Sequence, residues 1–184
     1  MIRFVLTILT LCGPWCRAAI VPQLALGQLV TGSECIIQGS VLRSWPAWDQ
    51  RRQFIWTHIE VLVRERWKES GSSADRTVVL SEPGGTVGAQ TMQVGGTAAY
   101  RVGEEVVVFV YRTPVGYLRA IGNGQGKFTI TQRPGSPQKY IHSDAAGLEL
   151  VPESAGWRAV RMTGMSLDEF RRTVQSLISR KAAQ

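Results

Sequence analysis

The sequence predicts a mainly β protein: a small antiparallel barrel, or alternatively a β-sandwich, with a C-terminal α-helix packed on it. Three observations point there. Residues 77–130 run as short apolar stretches punctuated by glycine, at Gly84, Gly85, Gly88, Gly95, Gly96, Gly103, Gly116, Gly122, Gly124 and Gly126. Residues 53–66 (QFIWTHIEVLVRER) alternate, with Ile55, Thr57, Ile59, Val61 and Val63 on one face and Phe54, Trp56, His58, Glu60, Leu62 and Arg64 on the other. The first set is almost wholly β-branched, as a buried pleated face requires, and the second is mixed polar and aromatic, as suits a wetter one. Near the C-terminus, Leu167, Phe170, Val174, Leu177 and Ile178 recur at helical spacing.

Taken in order, the segment after Pro22 reads as a short helix that Gly32 ends. Residues 34–43 read as the first long strand, where Gly39 marks a bulge, a bend or a close backbone approach. Residues 44–50 (SWPAWDQ) read as a loop fixed by Pro46, and 53–66 as the second strand. After the polar loop 67–76 comes a strand at 77–80, then the turn Glu82-Pro83-Gly84-Gly85, built from residues that preset or tolerate turn dihedrals. Residues 84–99 are long for a loop and are expected to cover one barrel end. Gly103 turns the chain into 105–111, whose Val-Val-Val-Phe-Val core is continuous and therefore central, buried on both faces. Strands at 117–121 and 127–131 flank a corner at Gly122–Gly126. Residues 140–142 and 148–151 are expected to form a small hairpin. Ser166 and Glu169 make an S-x-x-E capping box, and Arg180 and Lys181 sit where cations oppose the helix dipole. Five main strands bent by glycines, with helical caps, fit the oligonucleotide/oligosaccharide-binding (OB) type of barrel.

The first 18 residues stand apart. A basic start with Arg3, an apolar run from Phe4 to Leu11 and the exit Cys16-Arg17-Ala18 have the build of a secretory signal peptide. The apolar run is shorter than the ~20 residues of a spanning helix. Cleavage after Ala18 leaves residues 19–184 as one β domain, with 166–181 as its packed helix. It places the product in the periplasm or outside the cell and leaves no membrane span. Neither Cys12 nor Cys16 follows a small residue, which argues against a lipid anchor. Only Cys35 then remains, so an internal disulfide is excluded. A lone cysteine in an apolar strand reads as a small buried hydrophobe, in preference to a Cys35-linked dimer. The chain carries 21 Lys+Arg against 14 Asp+Glu, a formal charge of +7. The basic residues are scattered, however, and no tract is long enough to argue for nucleic acid.

Catalytic signatures are missing from the sequence. The two histidines, His58 and His142, belong to no HExxH motif or other metal-ligand spacing, and no G-x-S-x-G elbow occurs. Gly122-Asn123-Gly124-Gln125-Gly126-Lys127 looks like a phosphate loop, but Ile121 stands where the first glycine belongs. Phe128 also stands where Ser or Thr would hold magnesium. No cofactor, metal site or catalytic set is therefore expected. What remains is a group of aromatics and arginines around the first two strands: Trp45, Trp48, Trp56 and Trp67, with Arg51, Arg52 and Arg66. Such groups serve protein-binding hot spots or stacking on bases and sugars, and they also serve simple core and rim packing. The candidate binding residues are Trp48, Arg52, Trp56, His58, Glu60 and Trp67.

The pattern Pro83-Gly84-Gly85-x-x-Gly88, Val102-Gly103-Glu104 before an apolar strand and Gln125-Gly126-Lys127-Phe128, with a glycine like Gly39 inside the first strand, resembles a group of uncharacterised exported bacterial β-barrel proteins. The resemblance covers residues 20 to about 180. It implies that Gly39, Pro83, Gly84, Gly85, Gly88, Gly103, Gly122 and Gly126 are structural corners. Genes of that group lie near exported matrixin-type metalloproteases, which makes a secreted metalloprotease the implied partner. A weaker resemblance to the OB-like barrel of tissue inhibitors of metalloproteinases and netrin-like modules supports the barrel. The N-terminal cysteine with which those inhibitors chelate zinc has no counterpart here. The expectation is therefore an exported, non-enzymatic module that binds a protein, with a glycan- or nucleic-acid-binding barrel as the first alternative and an enzyme of unrecognised type as the second.

Overall fold

The computed structural model describes residues 19–69, 75–143, 148–151 and 162–182. The expected signal peptide lies outside them. The chain runs β1 (Ala19–Pro22), α1 (Leu26–Gly32), β2 (Cys35–Trp48), β3 (Ile55–Lys68), β4 (Thr77–Pro83), β5 (Gly85–Val87), β6 (Gln90–Met92), β7 (Glu105–Arg112), β8 (Leu118–Ala120), β9 (Lys127–Gln132), β10 (Lys139–Ser143), β11 (Leu148–Val151) and α2 (Leu167–Ala182). The protein is mainly β, with antiparallel main-sheet pairing and a C-terminal helix, as expected. The main sheet has the order β10-β9-β7-β2-β3-β4, with β8 beside β9 on the same edge of β7.

The two faces of this sheet build two cores. On one face Ile36, Trp67, Val107, Phe109, Phe128, Ile130 and Ile141 meet Leu29 and Val30 of α1 and Phe170 and Val174 of α2. The other face is concave and closes on itself around Ile37, Val41, Ile59, Val61, Leu80, Val106, Val108, Val110 and Ala120. β7 serves both cores, and Val106 through Val110 are all fully buried. The continuous apolar run at its centre predicted this.

The sheet does not close into a barrel. β4 and β10 are the ends of the hydrogen-bonded path. β4 curls round to lie against β8, but no ladder joins them. Two features explain the gap. β8 is only three residues long. Along β4, Val63 N–H donates to Arg76 O and Gly84 N–H donates to Ile55 O, each at 2.8 Å. Antiparallel alternation then turns residues 76, 78, 80 and 82 towards β3 and residues 77, 79, 81 and 83 outward. Pro83 therefore stands at an outward position without an N–H to offer. A side chain bridges the gap instead. Ala120 N–H donates to Glu82 Oε1 at 2.9 Å, and Arg119 Nε donates to Glu82 Oε2 at 3.2 Å.

The expected loop at 44–50 is corrected to strand: β2 continues through Pro46 to Trp48. β7 pairs β2 only up to Ser40, and Val41 still bonds Gly103 and Glu104, so β2 has an open edge beyond Val41. Asp49 N–H donates to Phe54 O at 2.8 Å, and alternation from that pair aims the Pro46 nitrogen at the open edge, where no donor is needed. Asp49 Oδ1 also accepts the N–H groups of Gln53 and Phe54, at 2.7 and 3.3 Å, and holds the hairpin turn. The expected hairpin of 140–142 with 148–151 is also corrected: β10 pairs antiparallel with β9, while β11 pairs in parallel with β1.

Gly39 sits at a register shift between β2 and β3, and a Cβ there would lie 2.3 Å from Leu62 O. Bulge and close approach coincide. At the Gly122–Gly126 corner, Gly122, Asn123 and Gly124 all have positive φ, and Ala98 and Gly96 backbone atoms lie 3.1 Å from where a Gly124 Cβ would be. This is a packed turn leading into a strand, which gives a phosphate no helix N-terminus. The 84–99 segment is partly strand, since β5 and β6 form a small hairpin. At the C-terminal helix, Ser166 Oγ accepts Glu169 N–H at 3.3 Å, and Leu167, Phe170 and Val174 are buried. At the other end of the chain, Lys68 Nζ donates to Val30 O at 2.7 Å and also to Ser33 O, gathering the terminal carbonyls of α1.

Candidate functional site

Helices α1 and α2 pack on the β2, β7, β9 and β10 side of the first face. Past Ser40, the β2–β3 hairpin extends beyond β7. Register sets its side chains: Arg43 opposes Glu60, Trp45 opposes His58 and Ala47 opposes Trp56 on β3, and His58 opposes Ser81 on β4. Directly opposed residues share a face, so this face collects Arg43, Trp45, Trp56, His58 and Glu60.

The rings form a chain. Trp45 and His58 have centroids 5.5 Å apart, His58 and Tyr117 6.0 Å, Tyr117 and Trp56 4.7 Å, and Trp56 and Phe54 5.3 Å. Every contact is tilted or edge-on, the geometry that aromatic quadrupoles favour. Tyr117 arrives from the turn before β8, across the β4–β8 gap. All five rings are half-buried. At one end the Arg43 guanidinium lies 4.6 Å over the Trp45 ring and is held by an ion pair to Glu60 at 2.5 Å. The result is a strip of aromatic surface ending in a stacked, oriented cation.

His58 Nδ1 lies 2.8 Å from Ser81 Oγ. Burial lowers the His58 pKa below its ordinary 6.5, so the ring is neutral at pH 7. A hydroxyl next to an imidazole has the contact of a nucleophile and its base. Ser81, however, is 3% exposed in mid-strand, and the rings around His58 are Trp45 and Tyr117, with no carboxylate hydrogen-bonded to it among the described residues. The contact anchors the imidazole within the strip. Among the described residues no group of three His, Cys, Asp or Glu is placed to hold a metal ion.

Of the six expected binding residues, Trp56, His58 and Glu60 come together in the strip. Trp67 does not: it is 7% exposed, packs edge-on to Phe170 at 6.0 Å and lies under Arg171, so it belongs to the helix-covered core. Its position near the end of β3 puts it beneath α2, which the strand pattern does not reveal. Trp48 opposes Ile55 and so lies on the opposite face from the strip. Arg52 is exposed in the hairpin turn with φ of 53°. Arg43, Trp45, Phe54 and Tyr117 join the site without having been among those six. The first three follow from folding the hairpin about 49–54. Tyr117 has no local signal, because only the curl of the sheet brings it to Trp56.

A second concavity, of about 310 Å³, opens on the inner side and is lined by Ser44, Thr57, Glu82, Gly84, Thr97 and Tyr100 among others. Two of its hydroxyls hold its own rim: Thr57 Oγ1 donates to Gly84 O at 2.7 Å, and Thr97 Oγ1 donates to Val94 O at 3.0 Å and Pro83 O at 3.2 Å. Cys35, at the start of β2, is half-buried, and burial raises its thiol pKa despite nearby Arg66, the opposite of an activated thiolate. Comparison with known protein families, with curated proteins and with solved structures finds no match to this chain.

Proposed function

We propose that the protein is an exported, non-enzymatic binding module that engages a protein partner through the aromatic strip of its β2–β3 hairpin. The observation that carries this reading is the run Trp45–His58–Tyr117–Trp56–Phe54 with Arg43 stacked at its end. Trp, Tyr and Arg dominate interface hot spots because they bring large contact area at low entropic cost and keep a polar handle. Here the rings are preset by one another and by Ser81, which lowers the ordering cost of binding. The basic end favours a partner surface with carboxylates. The resemblance in the sequence makes a secreted metalloprotease the first partner to test.

The test is capture from the secreted and envelope fractions with the full protein as bait, alongside a Trp45→Ala/Trp56→Ala double variant verified as folded. A defined partner retained by the wild type and lost by the variant supports the reading. Equal capture by both, or saturable tryptophan quenching by polysaccharides without any protein partner, overturns it.

A further inference from the structure

Among the described residues, and apart from the β4–β8 seam, the β2, β10 and β4 edges of the sheet turn backbone groups outward, and two of these three are blocked. On β2 the open edge carries Pro46 in an outward position and a bulge between Val41 and Arg43. β10 is covered by residues 164–166: Gly164 N–H donates to Ile141 O, and Ile141 N–H donates to Met165 O. The third is the N-terminal half of β4. Thr77 and Val79 turn their N–H and C=O groups outward, by the alternation set at Arg76 and Gly84. No hydrogen bond reaches these groups from another described residue. The segment Thr77-Val78-Val79 is β-branched throughout, carries no charge, proline or bulge, and leaves Val79 41% exposed. The stretch is short, but an edge without charge, proline, bulge or cover is a template for strand pairing.

We propose that this edge pairs with the same edge of a second copy of the chain, β4 against β4, antiparallel about a two-fold axis at Val78. A second copy fits because the edge is complementary to itself. In this register Thr77 and Val79 of one copy exchange hydrogen bonds with Val79 and Thr77 of the other, four bonds in all. Val78 opposes Val78 at a close, non-hydrogen-bonded position. Val78 already packs on the concave core beside Val61, so the two cores meet through an apolar row. The flanking Arg76 residues fall at opposite ends of the pair and do not face each other. Pro83 and the β8 contact at Glu82 end the pairing on each side, so it stops at two copies. The shared area is small beside the ~1,600 Å² of a standard interface, so the dimer forms and dissociates with concentration.

Sedimentation of the full protein over a concentration series tests this, with Val79→Pro and Val79→Lys as variants. Proline at residue 79 removes only an outward N–H, as at Pro46 and Pro83, and so spares the β3 ladder. Lysine blocks the edge without any backbone change. Leu42→Lys, at a site equally exposed but off this edge, is the control. The wild type and Leu42→Lys are expected to approach twice the monomer mass, and both edge variants to weaken association by about tenfold or more. The Val79 amide should gain hydrogen-exchange protection only at high concentration. A wild type that stays monomeric throughout overturns the proposal, as does dimerisation that Val79→Lys leaves unchanged. If Val79→Pro fails to fold, Val79→Lys and the amide protection decide.

Discussion

The carboxylate of Glu82 accepts the backbone N–H of Ala120 at 2.9 Å, across a gap of 38 residues in sequence. It is 1% exposed and does for β4 and β8 what a ladder does elsewhere in the sheet. Deleting it leaves an N–H and the nearly buried Arg119 without an acceptor. Glu82→Ala is expected to cost about 3–5 kcal/mol, and Glu82→Gln, which keeps one acceptor, about 1–2 kcal/mol. Urea denaturation of the two variants measures the difference, and equal costs would show that the carboxylate does not hold the seam.

The same group sets a pH dependence. Burial raises the Glu82 pKa above its ordinary 4.5, against the opposing pull of the Ala120 bond and of Arg119. A folded pKa above the unfolded one means that the native state binds the proton more tightly. Its contribution to stability is then full below about pH 4.5 and is lost as pH rises through the folded value. The wild-type-minus-Glu82→Gln difference in unfolding free energy should therefore decline from acid towards neutral pH. A difference that grows instead would reverse the sign of the shift.

His58 runs the other way. Desolvation lowers its pKa below 6.5, so the stability it contributes is full above pH 6.5 and is lost as pH falls through its folded pKa. A proton NMR titration should give the His58 ring a midpoint below 6.5. Ser81→Ala is expected to broaden or shift the ring signals, since Ser81 Oγ is the hydrogen-bond partner of Nδ1.

The two tryptophans of β3 separate core from surface. Trp67→Ala empties a site beneath α2 and is expected to cost about 3–5 kcal/mol. Trp56→Ala removes a half-buried ring from the strip and is expected to cost about 1–1.5 kcal/mol of aromatic contact. Chemical denaturation ranks them. A Trp56 variant as unstable as the Trp67 variant would make the strip a core rather than a binding surface.

At Gly39 the space, rather than the dihedral, forbids a side chain. Gly39→Ala places a methyl 2.3 Å from Leu62 O and should cost about 1–3 kcal/mol. Gly88→Ala meets nothing within 4 Å and bears only the strain of φ at 60°, about 1–2 kcal/mol. Thermal melts of the pair distinguish crowding from torsion if the Gly39 variant loses more.

How much of this could be read in advance differs from residue to residue. Val106 to Val110, the alternation of Ile55 to Val63, the helix from Leu167 and the bulge at Gly39 all follow from patterns within a dozen residues, and each was legible. Pro46 was misleading, because a proline argues against a strand only where its nitrogen faces a neighbour, and whether a neighbour stands there depends on where β7 stops. Glu82 sits next to a Pro-Gly-Gly and reads as a turn residue, yet it lies in β4 and the curl of the sheet buries it. In the strip, Trp56, His58 and Glu60 could be found from one strand. Tyr117 and the burial of Trp67 depend on elements far away in the chain.

The grip of Lys68 on Val30 and Ser33 has a bearing on how the molecule opens. Helix α1 is seven residues long, well under the ~12 residues at which an isolated helix is even marginal in water, and its carbonyl end is tied to the last residue of β3. Amides of the α1 segment should therefore exchange with solvent together, as one cooperative unit that Lys68 helps to hold beside the buried Leu29 and Val30 and the Gln125 bonds to Pro22 and Leu24. Lys68→Met should speed exchange over α1 and its flanks, residues 23–33, while the centre of the sheet, β2 included, keeps its protection.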